Sequence, residues 1–201
     1  MRSITTLNIL LREYKTIFFL VGKAANSSIK VAIKQMQGQG RPYHSGHEYI
    51  DACKAHQLKG FHKIAVVRNP WARFVSCYYQ KIVGPKPAFL TKLDGIHKGM
   101  LFEDFVHAVG RLPKRLQGRE QHIRPQTVSM MCGDEFVPNW IIKLENIESE
   151  WKRLQEIIPI SDLVPRNTTE HPPYRELYTE KTKRIIARRY AQDIEILNYQ
   201  F

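Results

Sequence analysis

The sequence has few cysteines and no long apolar run, and each shortage excludes a class of protein. Its three cysteines, Cys53, Cys77 and Cys132, form no C-x-x-C pair, which argues against a disulfide framework or a zinc ribbon and favours a reducing compartment. The longest apolar run near the start, Ile17–Val21, is far below the ~20 residues of a membrane span. Leu7–Leu11 is too short for a secretory signal. We therefore expect a soluble, cytoplasmic chain with no stable membrane insertion.

Acidic residues are scarce relative to basic ones. The 201 residues contain 31 Lys and Arg against 19 Asp and Glu, for a formal net charge of +12, so the surface attracts nucleic acids, anionic lipids, phosphorylated nucleotides or acidic polysaccharides. No RNA-binding aromatic signature, zinc finger or basic zipper is present, which weighs against nucleic acid as a partner. Repeats are also missing, and 43% hydrophobic residues are typical of a folded chain, so we expect a single domain over residues 1–201.

What the chain does contain is a repeated order of strand, loop and helix. Thr16–Val21 is a β-branched and aromatic run typical of a buried parallel strand, and the segment 22–28 after it has the residues of a loop that opens a helix. Lys63–Val67 repeats the strand pattern, and Pro70 suits the first position of a helix that extends to residue 82. Two such units predict a parallel α/β sheet.

The later part of the chain predicts further elements. They are a short amphipathic helix over 101–109, a third strand over 140–144, an amphipathic helix over 147–158 and a closing helix over 174–197 packed on the sheet. On the helix over 147–158, the residues expected to face the core are Trp151, Leu154, Ile157 and Ile158.

The loop over 22–28 is a candidate anion site. It follows a strand and opens a helix, the setting in which free backbone N–H groups and the helix dipole bind phosphate or sulfate. Lys23 adds a positive charge, and Ser27 and Ser28 add hydroxyl donors. The loop is not a Walker A loop, because its lysine comes first instead of directly before the serine. An ordinary helix cap with a solvated lysine is the alternative interpretation.

A second candidate anion site follows the second strand. Arg68 stands at the end of that strand, and Ser76 lies about two turns along the next helix; an arginine fork with a hydroxyl makes a good phosphate clamp. In an open parallel sheet, ligands gather at the carboxyl ends of the strands, so we expect one nucleotide to bridge the two loops. The alternative is an arginine in a structural ion pair and a serine bonded to its own helix.

Together these motifs resemble the sulfotransferase family, in particular its carbohydrate-type members and their bacterial relatives. The resemblance rests on K-x-x-x-S-S over 23–28 and, most specifically, on V-V-R-N-P-W-A-R-F-V-S-C-Y over 66–78. Gln121–Gln126 is similar to the family's His-x-x-Pro-Gln segment, and further similar stretches lie at 142–146, 163–168 and 190–201. The similarity runs from about residue 17 to the C-terminus.

The resemblance implies a three-layer α/β/α fold with a central parallel sheet, of the P-loop-like sulfotransferase kind. It also implies transfer of a sulfuryl group from 3′-phosphoadenosine 5′-phosphosulfate to an acceptor, usually a hydroxyl and in some relatives an amine, without a metal. The carbohydrate-type members imply a sugar hydroxyl, and the basic charge of the chain is compatible with an acidic glycan. Arg68 and Ser76 would hold the 3′-phosphate. The loop residues that would hold the 5′-phosphosulfate are Lys23, Ala24, Ala25, Asn26, Ser27 and Ser28.

Two residues are candidates for the chemistry. His122 is the candidate base, because imidazole titrates near neutral pH and the resemblance places a catalytic histidine in this segment. Lys23 is the candidate for stabilising the leaving phosphate. The sequence departs from the family where Gly22 replaces Pro, Asn26 replaces Gly and Ile123 replaces an aromatic residue. Because Asn tolerates a left-handed backbone, we expect the loop shape to survive.

Other polar groups give weaker signals. Arg124 and Arg166 either meet an acidic acceptor or are solvated. Cys77, Cys132 and the tryptophans Trp71, Trp140 and Trp151 are expected to pack in the core. Four histidines and one cysteine lie near one another in the sequence, but their spacing is too wide for a tight pair of zinc ligands, so we expect no metal there. They are His44, His47, Cys53, His56 and His62.

Two functions from other classes stay open at this point. One is a non-catalytic basic protein that binds nucleic acid, for which binding would be strongly salt-dependent. The other is an atypical nucleotide or small-molecule kinase of the same broad architecture, against which the absence of a Walker A loop argues.

Overall fold

The computed structural model describes residues 8–36, 48–86, 88–113, 120–166 and 169–201. The chain divides into two compact units, one formed by residues 1–67 with 126–167 and the other by residues 68–125 with 168–201. Within the described ranges, no helix has the length and apolar character needed to cross a membrane.

The first unit is built on a five-stranded sheet. In spatial order its strands are β3 (Glu48–Ile50), β1 (Asn8–Leu11), β2 (Thr16–Phe19), β4 (His62–Val67) and β7 (Trp140–Lys143). The three strands predicted from the sequence are therefore present, and they are neighbours, because β2 pairs with β4 and β4 with β7, both in parallel. A separate hairpin pairs β5 (Met131–Cys132) with β6 (Glu135–Phe136).

The sheet is mixed, so the prediction of a wholly parallel sheet is wrong. β1 runs antiparallel to both of its neighbours, with Ile9 opposite Phe18 of β2 and Tyr49 of β3. Only residues 12–15 join β1 to β2, and the left-handed Lys15 (φ 44°) closes this turn. So short a connection reverses the chain, whereas parallel pairing needs a crossover of about a dozen residues. The apolar run of β1 does not show the direction in which it pairs, because that direction is set by its partner strands.

Two helices of the first unit, α1 (Asn26–Met36) and α5 (Ile147–Gln155), pack on this sheet. The short helix α2 (Ala52–Gln57) lies against β5 of the hairpin. Ile29 of α1 and Trp151 of α5 share a buried cluster with Phe18 and Ile64 of the sheet. Leu154 and Ile158 are buried in it as predicted. The prediction for Ile157 is wrong, because α5 ends at Gln155 and Ile157, in the turn that follows, is 47% exposed.

The second unit is helical. Its helices are α3 (Pro70–Tyr78), α4 (Phe102–Arg111), α6 (Glu180–Arg189) and α7 (Ala191–Ile196), and α3 continues as a π-helical turn, Tyr79–Val83. Phe74 of α3 stacks on Phe105 of α4 with ring centres 4.8 Å apart. Ile186 and Tyr190 lie in the same buried cluster. The apolar face predicted for α4 is confirmed, because Phe102, Phe105, Val106 and Val109 are all buried.

The predicted closing helix over 174–197 is interrupted. A 3-10 turn, Tyr174–Leu177, is separated from α6 by Thr179, whose side chain forms a capping box with Thr182. At Tyr190 the backbone leaves helical geometry (φ −109°, ψ 28°), which separates α6 from α7. The helical spacing of the apolar residues therefore predicted one continuous helix where the structure has a 3-10 turn and two helices. A cap within such a pattern begins a new helix.

A disulfide joins Cys53 of α2 to Cys132 of β5 across a sequence separation of 79. The prediction that Cys132 is a packing residue is therefore wrong, and cysteine usage no longer argues for a reducing compartment. His56 and Glu135, from α2 and β6, pair at 3.1 Å between Nε2 and Oε2. Spacing could not show this link, because the two cysteines meet only through the fold. Cys77 is buried, as predicted.

We expect reduction of this disulfide to destabilise the first unit. A crosslink over 79 residues removes loop-closure entropy from the unfolded chain and contributes roughly 2–4 kcal/mol. Cys53→Ser, Cys132→Ser and the double variant should all melt at the same lowered temperature, roughly 5–15 °C below the oxidised chain. Equal melting temperatures with and without reductant would show that the two cysteines are not linked in solution.

Helices α4 and α6 approach each other closely at Gly110. A Cβ at this position would meet Cγ2 of Ile185 at 2.7 Å. That methyl group is fixed on the β carbon of its residue and has little freedom to move. The crossing therefore depends on the missing side chain at Gly110.

Gly110→Ala should lower the free energy of unfolding by about 1–3 kcal/mol through overpacking, although alanine favours a helix over glycine by about 1 kcal/mol. In an Ile185→Ala background the obstructing methyl is gone, so the same change should be neutral or stabilising. Chemical denaturation of the four proteins measures the coupling. Stabilisation by Gly110→Ala in the otherwise unchanged chain would contradict the close approach.

Candidate active site

The loop between β2 and α1 has the backbone form of an anion site. Lys23 (φ 72°) and Ala25 (φ 53°) are both left-handed, on either side of the fully buried Ala24. Such turns direct successive N–H groups into one concavity. Non-glycine residues in this region cost of order 1–3 kcal/mol each, and such strain is concentrated at functional sites. The loop leads directly into the first turn of α1, whose N-terminus also favours an anion.

The left-handed positions are not where the sequence placed them. Asn26 was expected to take the left-handed form, but it is the first residue of α1, and Lys23 and Ala25 take that form instead. The Oδ1 atom of Asn26 is buried and has no hydrogen-bond partner among the described residues. Ser27 is exposed and Lys23 half-buried, whereas Ser28 is buried. Lys23 and Ser27 are therefore the polar side chains of this loop nearest the surface, and the backbone N–H of Ala24 donates to the carbonyl of Val21 at 3.2 Å.

The turn between β4 and α3, residues 68–69, which we call the Arg68 turn, is stabilised by the side chain of Asn69. Arg68 comes directly after β4, the parallel neighbour of β2. Asn69 caps α3, since its Oδ1 accepts from the backbone N–H of Trp71 at 3.1 Å and of Ala72 at 3.3 Å. Pro70 occupies the first helical position, as predicted. Ser76 lies in the last half of α3 and is buried.

The end of the chain is tied to the same turn. The side-chain N–H of Asn69 donates to the carbonyl of Gln200 at 2.8 Å. The ring of Phe201 packs on Trp71 with centres 5.4 Å apart, and the ammonium of Lys183 lies 4.5 Å from its centre. Trp71 is therefore a core residue, as predicted, and it helps to fix the start of α3. The support from 200–201 was not predicted, because Asn69 and Trp71 lie more than a hundred residues away in the chain.

His122 lies on a short turn without regular secondary structure. The carbonyl of Glu120 accepts from the backbone N–H of Ile123 at 3.2 Å and of Arg124 at 3.0 Å. Ile123 is fully buried. His122 therefore lies within a turn, residues 120–124, that is closed by two backbone hydrogen bonds.

Side chains from two helices hold the carbonyls on both sides of His122. Arg73 of α3 donates to the carbonyl of Gln121 at 3.1 Å. The carbonyl of Ile123 accepts from the hydroxyl of Tyr190 at 2.8 Å and from Arg189 of α6 at 3.2 Å. Arg73 and Tyr190 are almost fully buried. The position of His122 is therefore set by the helical core of the second unit.

The ring of His122 is paired with Glu120. One carboxylate oxygen of Glu120 accepts from the backbone N–H of His122 at 3.1 Å and also meets its Nδ1. The side chains are 20% exposed for His122 and 6% for Glu120. Burial raises the pKa of Glu120, but hydrogen bonds and charge from His122, with a contribution from Lys81, outweigh it, so that this pKa lies below its usual range.

The cationic neighbours also affect one another. Burial lowers the pKa of Arg124, the nearby Arg73 lowers it further, and Glu120 opposes both effects. Positive charge thus surrounds one buried carboxylate and one partly exposed imidazole. Chemically, such an arrangement presents a ring nitrogen as a base next to cations that suit an anionic reactant.

The sequence predicts His122 as the candidate base, but its partner Glu120 was missed. A signal was present: Glu120 is the only acidic residue between Asp104 and Asp134, in a stretch rich in Arg and Lys. The supporting residues Arg73, Arg189 and Tyr190 gave no comparable signal, because they approach from distant helices.

Several other expectations can be placed. Trp151 is buried, whereas Trp140 is half-buried with its ring N–H donating to Glu150 at 3.0 Å. Arg166 is exposed. Of the loose histidine group, His44 and His47 lie outside the described residues, Cys53 is in the disulfide and His56 pairs with Glu135. In the part of the chain that the structure describes, no three His, Cys, Asp or Glu side chains gather in a group able to hold a metal.

Removing the cap should loosen the Arg68 turn. Asn69→Ala leaves the N–H groups of Trp71 and Ala72 without their acceptor, so we expect the free energy of unfolding to fall by about 1–2 kcal/mol. Asn69→Asp keeps the acceptor and loses the N–H that donates to the carbonyl of Gln200, so the fall in unfolding free energy should be smaller. Urea denaturation compares the three proteins, and an unchanged midpoint for Asn69→Ala would contradict the role of the cap.

Comparison with known proteins gives one positive result. The model of the sulfotransferase family matches residues 9–200 of this chain. No curated protein matches the chain, and no solved structure does.

Proposed function

The chain belongs to the sulfotransferase family, and from this membership we propose that it transfers a sulfuryl group from 3′-phosphoadenosine 5′-phosphosulfate to a hydroxyl group on a carbohydrate. That it is a transferase acting on sulfuryl groups follows from the family itself. The observation that carries the choice of donor is the loop of Lys23 and Ala25, whose left-handed backbone opens α1.

The residues present fit this donor. Backbone N–H groups at the start of α1, with the ammonium of Lys23 and the hydroxyl of Ser27, would supply hydrogen-bond donors and positive charge to a phosphosulfate. Arg68, on its capped turn, and Ser76 would hold the 3′-phosphate. This second phosphate distinguishes the donor from ATP, which makes Arg68 the residue that selects it. The parallel pair β2 and β4 supports a P-loop-like sulfotransferase architecture.

In the proposed reaction, His122 removes the proton from the acceptor hydroxyl as its oxygen attacks sulfur. The bond from sulfur to the bridging oxygen of the phosphate breaks, and the electron pair stays on that oxygen. Lys23 stabilises the charge that develops there. The proton ends on the imidazole, and the products are the sulfated acceptor and 3′-phosphoadenosine 5′-phosphate.

A carbohydrate acceptor is proposed from the family resemblance, and the charge of the chain supports an acidic one. The formal net charge is +12, and Arg73, Arg124 and Lys81 are cations close to Glu120 and its partner His122. Long-range attraction of this kind raises the local concentration of an anionic substrate.

Thermal unfolding with nucleotides tests the donor assignment. Saturation with 3′-phosphoadenosine 5′-phosphate at 100 times Kd should add about 2.7 kcal/mol, or roughly 5–10 °C in melting temperature. AMP and ATP, at equal ionic strength, should give much smaller shifts. Arg68→Met should abolish the preference for the 3′-phosphorylated nucleotide, whereas Arg166→Met, at an exposed arginine, should keep it.

The shift is compared with each variant's own melting temperature, so a loss of stability in Arg68→Met does not obscure the result. Stabilisation by ATP with Mg²⁺ or by nucleic acid, without any effect of the 3′-phosphorylated nucleotide, would contradict the proposal. It would favour a kinase or a nucleic-acid-binding protein instead.

A further inference from the structure

We infer that Glu120 is a positioning residue for His122: its buried carboxylate fixes the imidazole with Nδ1–H toward Glu120 and leaves Nε2 as the basic nitrogen. The inference rests on the proposed function, in which His122 is the base. It assigns a role to a residue that takes no part in the reaction itself.

The tautomer follows from the chemistry of the pair. An ionised carboxylate only accepts hydrogen bonds, so the Nδ1 atom that meets Glu120 must carry the hydrogen. A neutral imidazole has one N–H, and Nε2 then keeps its lone pair. Of the two ring nitrogens, only Nε2 is left to accept a proton.

The geometry makes the pair rigid. The same oxygen of Glu120 that meets the ring also accepts from the backbone N–H of His122 at 3.1 Å. Glu120 is therefore anchored on the residue that it orients. Since the carbonyls of Gln121 and Ile123 are held by Arg73 and by Tyr190 with Arg189, neither backbone nor ring of His122 is free to turn.

The charge around the pair gives the carboxylate a second effect. Among the residues that the structure describes, the titratable and charged groups nearby include Lys81 from the π-helical turn, Arg73 from α3, Arg124 from the turn itself, Arg189 from α6 and Tyr190 after it. All but the tyrosine are cations. The carboxylate of Glu120 offsets their positive charge directly beside the imidazole.

Glu120→Gln tests this role while keeping the shape of the side chain. We expect kcat to fall roughly 10–100-fold, with the Kd for 3′-phosphoadenosine 5′-phosphate unchanged. Because the amide of Gln can both donate and accept a hydrogen bond, it no longer fixes which ring nitrogen of His122 carries the hydrogen. Glu176→Gln, at an exposed carboxylate of the same unit, is the matched control and should change none of these.

A double variant separates positioning from general support of the fold. In a His122→Ala background, Glu120→Gln should cause no further loss of kcat, because the ring that Glu120 orients is absent. Glu120→Asp, which keeps the charge but shortens the reach, should recover part of the activity. An additional loss in the double variant, or full kcat in Glu120→Gln, would overturn the inference.

A measurement without turnover keeps this inference distinct from the proposed function. Nitrogen-15 NMR of the imidazole should show His122 of the unmodified protein, at a pH where it is neutral, as the Nδ1–H tautomer alone. Glu120→Gln should show a mixture of tautomers. A mixture already in the unmodified protein would overturn the inference even if sulfuryl transfer occurs. A fixed tautomer in a protein without transferase activity would refute the proposed function and leave the pairing intact.

Discussion

The bonds that hold the carbonyls of Gln121 and Ile123 are the constraint on which the candidate site depends. Residues 120–124 form neither helix nor strand, so their shape comes from Arg73, Arg189 and Tyr190. Charged donors make stronger hydrogen bonds than neutral ones, and they bind most firmly where water is excluded. The helical core thus supplies rigidity to a segment that has no regular structure of its own. If His122 is the base, as we propose, a side chain held in this way needs little reorganisation during reaction.

The candidate anion site in the first unit depends on a different constraint. There β2 is followed by a loop in which Lys23 and Ala25 have a left-handed, strained backbone. The buried strand β2 and helix α1 on either side hold the loop in this conformation. The disulfide and the pair of His56 with Glu135 join α2 to the β5–β6 hairpin of the same unit. The strained backbone of the loop requires a stable unit around it, because strain persists only where the surrounding structure fixes it.

The sequence predicted those parts of the fold whose residues are close in the chain. The sequence shows β2, β4 and β7 as apolar runs and α4 as apolar residues at helical spacing. A buried strand or helix face leaves such a pattern within its own short segment. β1 and the disulfide were missed because they depend on pairing. The candidate site divides in the same way: the loop at Lys23 and the motif at His122 were predicted, whereas the donors to the His122 turn were not. Arg73 and Tyr190 meet it from 48 and 67 residues away.

The central claim is that this fold transfers a sulfuryl group with His122 as the base. Its most direct test is transfer of radioactive sulfate from labelled 3′-phosphoadenosine 5′-phosphosulfate to a panel of neutral and acidic oligosaccharides, with the unmodified protein and His122→Ala side by side. The account predicts labelled oligosaccharide with the unmodified protein, and loss of most turnover in His122→Ala while the nucleotide still binds. Nearly full turnover by His122→Ala, or bound donor with no transfer to any hydroxyl, would contradict it.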